Sequence, residues 1–204
     1  MFELLLTEKG RWDKIKDTKY EEVARVMLMR EQTCCFTGHR PDKLPWGTDE
    51  RDPRCLALKR SLAREVEGLC RRGYRHFISG MARGSDLYFA EAVLEMKEIY
   101  PQITLEGAVP CESQAARWPE EERRRWRSVL ARCDAETLVQ QHYDRGCMHR
   151  RDRYMVDNSS VVLAVFDGTP GGTLYTLNYA MTHKREILLL DLNHPEADAV
   201  RLTV

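Results

Sequence analysis

The chain has 204 residues, 43% of them hydrophobic and 31% charged, enough apolar material for one domain with a full core and far from the compositions of disordered or collagen-like chains. Lys and Arg number 32, as do Asp and Glu; with no global positive field, neither nucleic acid nor an anionic membrane is an expected partner. The seven cysteines are odd in number and lack paired metal-ligand spacing, so free thiols in a reducing compartment are expected, and no metal site.

At the N-terminus the only apolar run is Leu4 to Leu6, shorter than a signal-peptide core or a membrane span. A cytoplasmic protein is the expectation. Residues 1–31 read as an N-terminal extension: a charged start, then a helix from Tyr20 to Arg30 with Val23, Ala24, Met27 and Leu28 at helical spacing. Its apolar stripe suits packing on the core, a homo-oligomer contact or a partner, and Met29 is an alternative start for the chain.

From residue 32 to residue 204 the pattern is that of a single α/β domain. Candidate strands at Thr33–Thr37, His76–Ser79, Thr104–Val109, Glu136–Gln140, Ser160–Phe166 and Glu186–Asp191 alternate with candidate helices at Arg54–Arg71, Ser85–Tyr100, Glu120–Arg132, Met148–Val156 and Thr173–His183. Alternation of this kind predicts a Rossmann-like three-layer sandwich, with a mostly parallel central sheet and helices on both faces. Val161 to Phe166 is apolar throughout, as a central strand covered on both sides must be. Pro41 to Pro53 reads as a surface loop at the carboxyl end of the first strand, in position to act as a lid.

Three glycine loops follow predicted strands: Thr37-Gly38-His39-Arg40-Pro41, Ser79-Gly80-Met81-Ala82-Arg83-Gly84-Ser85-Asp86, and Asp167-Gly168-Thr169-Pro170-Gly171-Gly172-Thr173. Glycine lets a backbone approach a ligand, and free N–H groups at a helix start favour an anion. Parallel strands gather all three loops at one edge, and Arg40 and Arg83 are suited to bidentate phosphate contacts. Asp86 fits either a helix-dipole role or acceptance from ribose hydroxyls. His39 suits phosphate binding, acid–base work or loop fixing, although no neighbour in sequence is placed to activate it. Thr173 can cap its helix and still donate to a phosphate. In the basic stretch from Arg145 to Arg153, Arg151 is the member expected to face the crevice. The run from Arg117 to Arg127, with Trp118 and Trp126, has the elements of a stacking platform for single-stranded nucleic acid, but Glu120, Glu121 and Glu122 argue against it.

Taken together, Cys35 to Pro41, Ser79 to Asp86, Arg151 to Asp157, and Phe166-Asp167-Gly168 followed by Gly171-Gly172-Thr173 resemble the YpsA-like branch of the SLOG superfamily, the Rossmann-like group that includes the LOG enzymes and DprA. The resemblance covers Thr33 to Asp191. It implies a ligand site that holds a nucleotide or an ADP-ribose-like molecule, with no cofactor required, for sensing or signalling. Gly38, Arg40, Gly80, Arg83, Gly84, Gly171, Gly172 and Thr173 would cradle phosphate, assisted by His39, Ser85, Arg151 and Gly168, with Asp86 and Asp167 on ribose. LOG enzymes carry a motif similar to P-G-G-x-G-T-x-x-E whose Glu is catalytic; here Thr176 stands at that place and one glycine is missing. Asp152 stands where this branch often has Asn. An N-glycosidase using His39, Asp86 or Glu112 is the alternative, and single-stranded DNA binding carries the lowest weight.

Overall fold

The computed structural model describes residues 26–202. The strands are β1 (Thr33–Thr37), β2 (His76–Ser79), β3 (Thr104–Val109), β4 (Ala135–Leu138), β5 (Val161–Phe166), β6 (Glu186–Asp191) and β7 (Val200–Leu202). The helices are α1 (Pro53–Arg71), α2 (Ser85–Met96), α3 (Glu120–Leu130), α4 (Cys147–Asp157) and α5 (Gly172–Thr182). All seven strands form one sheet in the order β4-β3-β2-β1-β5-β6-β7. Pairing is parallel from β4 across to β6, and only β7 runs antiparallel, on β6.

Strand pleat sorts the side chains between two faces. Cys34, Phe36, Phe77, Leu105, Val161, Leu163 and Val165 bury themselves on one side with Leu58, Leu62 and Val66 of α1 and Phe89 and Val93 of α2. Their neighbours in sequence, Cys35, Ile78, Val162 and Ala164, point the other way onto Met155 and Val156 of α4 and Leu177 and Ala180 of α5. The expected three-layer α/β sandwich is the observed fold. All seven cysteines are free thiols, and burial first of all pushes Cys35 up to about 12, keeping it a protonated core residue.

Departures from expectation have local causes. The first helix begins one residue early because Pro53 is pre-set for a helix start and the Asp52 carboxylate accepts from the Arg54 amide at 2.8 Å. β4 is shifted toward the N-terminus relative to the expected Glu136–Gln140 and is largely exposed, an edge strand in which burial writes no pattern. β7 is three exposed residues, too short to signal itself. The stretch from Pro41 to Pro53 is no free surface loop: after a short 3-10 turn at Pro41–Lys43, Leu44 and Trp46 are buried in the core. The expected helix at Tyr20–Arg30 falls mostly outside the described residues; residues 26–31 are helical, with Val26, Met27, Leu28 and Met29 exposed. No helix among the described residues is long and apolar enough to cross a membrane.

If Trp46 anchors its loop as an element of the core, Trp46→Ala will cost about 3–5 kcal/mol, like other buried aromatic truncations. Urea denaturation measures it; a loss below about 0.5 kcal/mol, usual for surface positions, would show that the loop is not anchored there.

Candidate functional site

The order of the strands sets the place. Chain segments move outward from β1 through β2 and β3 to β4, then return to β5 on the opposite side of β1. The loops leaving β1 and β5 therefore part in opposite directions, and a crevice opens between them at the carboxyl edge. A cleft of about 270 Å³ lies here, lined among others by Gly38, His39, Arg40, Lys43, Asp86, His149, Arg151, Asp152, Gly172 and Thr173.

The first two glycine loops lock into each other. Both the Ser85 amide and its hydroxyl donate to the His39 carbonyl, at 3.2 and 2.5 Å, so donors at the start of α2 are taken by protein. A Cβ on Gly84, whose φ is +81°, would stand 2.9 Å from that same carbonyl oxygen, and one on Gly38 would stand 2.7 Å from Ser85 Oγ. These glycines permit protein-to-protein approach.

Beneath the cleft lies a buried ionic cluster. Arg151, 5% exposed, reaches from α4 to donate from Nη1 to the Gly80 carbonyl and from Nε to Asp152 Oδ1 at 2.9 Å, with Asp86 Oδ2 3.6 Å from Nη1. Gly80 makes this possible, because a Cβ there would fall 1.7 Å from Arg151 Nη1. Two carboxylates thus share one guanidinium. Asp86 is pushed up to about 6: burial dominates, and the Asp152 charge adds to it, against the pull of Arg151, the Ala82 amide and Arg40.

Asp167, at the end of β5, supplies the partner for His39 that local sequence lacks: Nε2 stands 2.8 Å from Asp167 Oδ1. Burial opposes ionisation of Asp167, but the Thr169 hydroxyl and amide, together with His39, outweigh it and hold the group at about 2. Lys43 closes the chain of contacts, donating to Thr169 Oγ1 at 3.2 Å and to the Pro170 carbonyl at 2.6 Å. Asp167 and Gly168 build this turn rather than line the cleft. At the start of α5, Gly171 takes the N-cap position and no side chain caps the helix, so its first-turn N–H groups have no intrahelical acceptor. Thr176, at the place of the LOG carboxylate, donates to the Gly172 carbonyl at 3.0 Å.

Other expected residues stand off the cleft wall too: Gly84 borders a neighbouring pocket, and Gly80, Ser85 and Gly171 are not on the wall. Arg83 pairs with Glu122 of α3 outside the main cleft, and Glu112 is exposed and absent from the cleft wall, its amide donating to the Gln141 carbonyl. Conversely, Asp42, Lys43 and Met148 line the cleft without having been singled out, and so does His149, which the sequence showed only as a member of the basic stretch from Arg145 to Arg153. The stacking of His149 on Tyr175 of α5, 4.0 Å between ring centres, joins residues far apart in sequence, and only Lys43, beside the first glycine loop, had a signal to find.

A family model described as the YspA SLOG family matches residues 34–193. The chain belongs to this YpsA SLOG family. It is similar to a UPF0398 protein of Brevibacillus brevis, 27% identical over 121 residues, a match covering 58% of this chain and 64% of that protein, so it spans just under two thirds of that relative. It is also similar to the SPbeta prophage-derived protein YoqJ of Bacillus subtilis, 28% identical over 143 residues, covering 64% and 84%. Among solved structures, DNA processing protein A of Helicobacter pylori, described for its single-stranded DNA binding mode, aligns with a TM-score of 0.55 at 15% identity over 81% of this chain and 67% of that one. DprA of Streptococcus pneumoniae gives 0.54 at 14%, covering 79% and 51%. At such identities the likeness is one of fold, here the Rossmann-like fold of the SLOG group.

The Asp86 cluster makes a pH-dependent contribution to stability. The folded protein keeps the Asp86 proton up to about pH 6, whereas an unfolded chain releases it near about 3.9. Folding takes up a proton between those values, so this group's contribution is full below about pH 4 and is lost as pH rises through 6. Asp86→Asn removes that dependence. Wild-type stability minus variant stability, from urea unfolding, is expected to be on the order of 2–3 kcal/mol higher at pH 4 than at pH 7; parallel pH profiles would refute the coupling.

Proposed function

We propose that the cleft binds a nucleotide or nucleotide-derived phosphorylated ligand as a sensing or signalling site. One observation carries this reading: the uncapped start of α5 opens on the cleft beside Arg40 and Lys43, neither of which forms an ion pair among the described residues. Free helix N–H groups and two cations not neutralised by a carboxylate are what a phosphate requires. The phosphate would meet Gly172, Thr173 and Arg40, while Arg151, already satisfied by Gly80, Asp86 and Asp152, shapes the floor.

An N-glycosidase is the second reading, favoured by Asp86. A carboxyl group 4% exposed, on the wall of the cleft and titrating at about 6, suits general acid or base work near neutral pH. Against it, Thr176 offers no carboxylate to steady an oxocarbenium ion, and its hydroxyl already serves Gly172. Likeness to a protein described as binding single-stranded DNA weakens the expectation, drawn from the net charge, that nucleic acid is no partner, so an oligonucleotide belongs in the test.

Nucleoside mono- and diphosphates, NAD, ADP-ribose and an oligodeoxythymidylate are screened by thermal shift, each mixture then being assayed for released base. A nucleotide recovered intact that raises the melting temperature supports the sensor; released base establishes the glycosidase. Arg40→Ala is expected to weaken binding roughly tenfold or more, the worth of a charged hydrogen bond, without lowering the melting temperature of the free protein. Glu112→Ala, at an exposed position off the cleft wall, should leave affinity unchanged. Equal losses from both, or stabilisation by the oligonucleotide alone, would overturn the assignment.

A further inference from the structure

Beside the main cleft lies a smaller pocket of about 150 Å³, lined by Arg40, Pro41, Asp42, Arg83, Gln114, Trp118 and Met148. Arg40, Asp42 and Met148 also line the main cleft, so the two spaces meet across these three side chains. At ~30 Å³ per water the pocket has room for about five, a space that one planar heterocycle fills.

Gln114 is 8% exposed, and its Nε2 donates to the carbonyls of Gly80 and Met81, each at 3.1 Å. Two carbonyl acceptors fix which end of the amide is the NH2, and Oε1 is thereby the acceptor. That oxygen is buried and without a partner, a state that has a desolvation cost and calls for an explanation. The two carbonyls, one of them that of Met81 with φ at +53°, hold the amide from the backbone side and keep it from turning. Half-buried Trp118 is held by an edge contact with Trp126, 6.2 Å between ring centres at 77°. Trp126 itself packs against the core, so the wall offers one aromatic ring and not a row of them.

We propose that this pocket is a base subsite: a nucleobase stacks on Trp118 and donates an N–H to Gln114 Oε1, while its phosphate reaches Arg40 and the start of α5 in the main cleft. Asp42, common to both spaces, lies where ribose would pass and accepts from its hydroxyls. The subsite rests on the nucleotide reading of the main cleft and narrows it: sugar phosphates and inorganic phosphate satisfy only half of the site. One stacking ring, with Glu121 and Glu122 close by on α3, suits a single nucleotide better than a strand.

The test compares 5′-AMP, 5′-GMP and ribose 5-phosphate by calorimetry on wild-type protein, Trp118→Leu and Trp118→Phe, with melting temperatures confirming that each is folded. In wild type, at least one of the two nucleotides should bind at least tenfold tighter than ribose 5-phosphate. Trp118→Leu should erase about tenfold of that nucleotide's affinity, the usual worth of base stacking, and leave ribose 5-phosphate as it was; Trp118→Phe should restore most of it. Nucleotide binding that ignores Trp118, or a loss shared equally by ribose 5-phosphate, would overturn the base subsite and spare the phosphate site. If none of the three probes binds wild-type protein, the phosphate reading falls and the base subsite with it.

Discussion

The reversal of strand order beside β1 is the constraint on which the rest of the structure depends. A parallel sheet needs crossovers that return over its faces, and when successive crossovers run first to one side of β1 and then to the other, the loops after β1 and β5 cannot cover the gap between them. What fills that gap has to be polar enough to meet water and rigid enough to keep its shape. His39 from one loop and Asp167 from the other bridge the gap at 2.8 Å, joining strands that are neighbours in the sheet though 128 residues apart in the chain. With Thr169 and Lys43 attached to the same carboxylate and its turn, both rims of the crevice are fixed before any ligand arrives.

The floor of the crevice obeys a different requirement. A guanidinium as deeply buried as that of Arg151 is tolerable only with partners, and Gly80 and Asp152 accept its hydrogen bonds while the Asp86 carboxylate stands 3.6 Å away. Burial above all, with the charge of Asp152 adding to it, is why Asp86 yields toward its neutral form. An anion cannot rest on such a floor; it is drawn instead to the rim, where Arg40, Lys43 and the open start of α5 lie. The division of the cleft into an acid-bearing floor and a cationic rim thus follows from how its charges are paired, although the chain as a whole is neutral.

Much of this was legible from sequence, and for identifiable reasons. Val161 to Phe166 reads as a strand covered on both faces, and the runs at Thr33–Thr37, His76–Ser79, Thr104–Val109 and Glu186–Asp191 have the bounds that the structure gives them, because buried strands are rich in apolar residues even where polar ones such as Ser79 and Glu106 are buried among them. β4 and β7, exposed at or near the sheet's edges, are under no such pressure and left weak or no traces. Leu44 and Trp46 were hidden by the prolines around them, which mark turns but say nothing about whether a turn is tucked into a core. In the site, residues of the glycine loops, together with Arg151, line the crevice. Partnerships were not legible: nothing in the sequence ties His39 to Asp167, Arg83 to Glu122 or Gln114 to the carbonyls of Gly80 and Met81, since each pairing is made by the fold across tens of residues.

The glycines carry the sharper lesson, because the rule that located them misstates what some of them do. Glycine after a strand was read as room for a ligand, yet the room at Gly80 is taken by Arg151, at Gly84 by the backbone of His39 and Pro41, and at Gly38 by Ser85 and Phe36. Only around Gly172 does a Cβ meet nothing within 4 Å on the cleft wall itself. A motif can therefore mark the crevice at a sheet's edge while most of its glycines serve the protein's own packing. On the proposed reading, ligand contact is shared between motif residues such as Arg40, Gly172 and Thr173 and residues that the motif does not name, Lys43 and Asp42 on one side and Gln114 and Trp118 on the other. Chains that share this fold at low identity can in this way present different ligand chemistry at one edge of the same sheet.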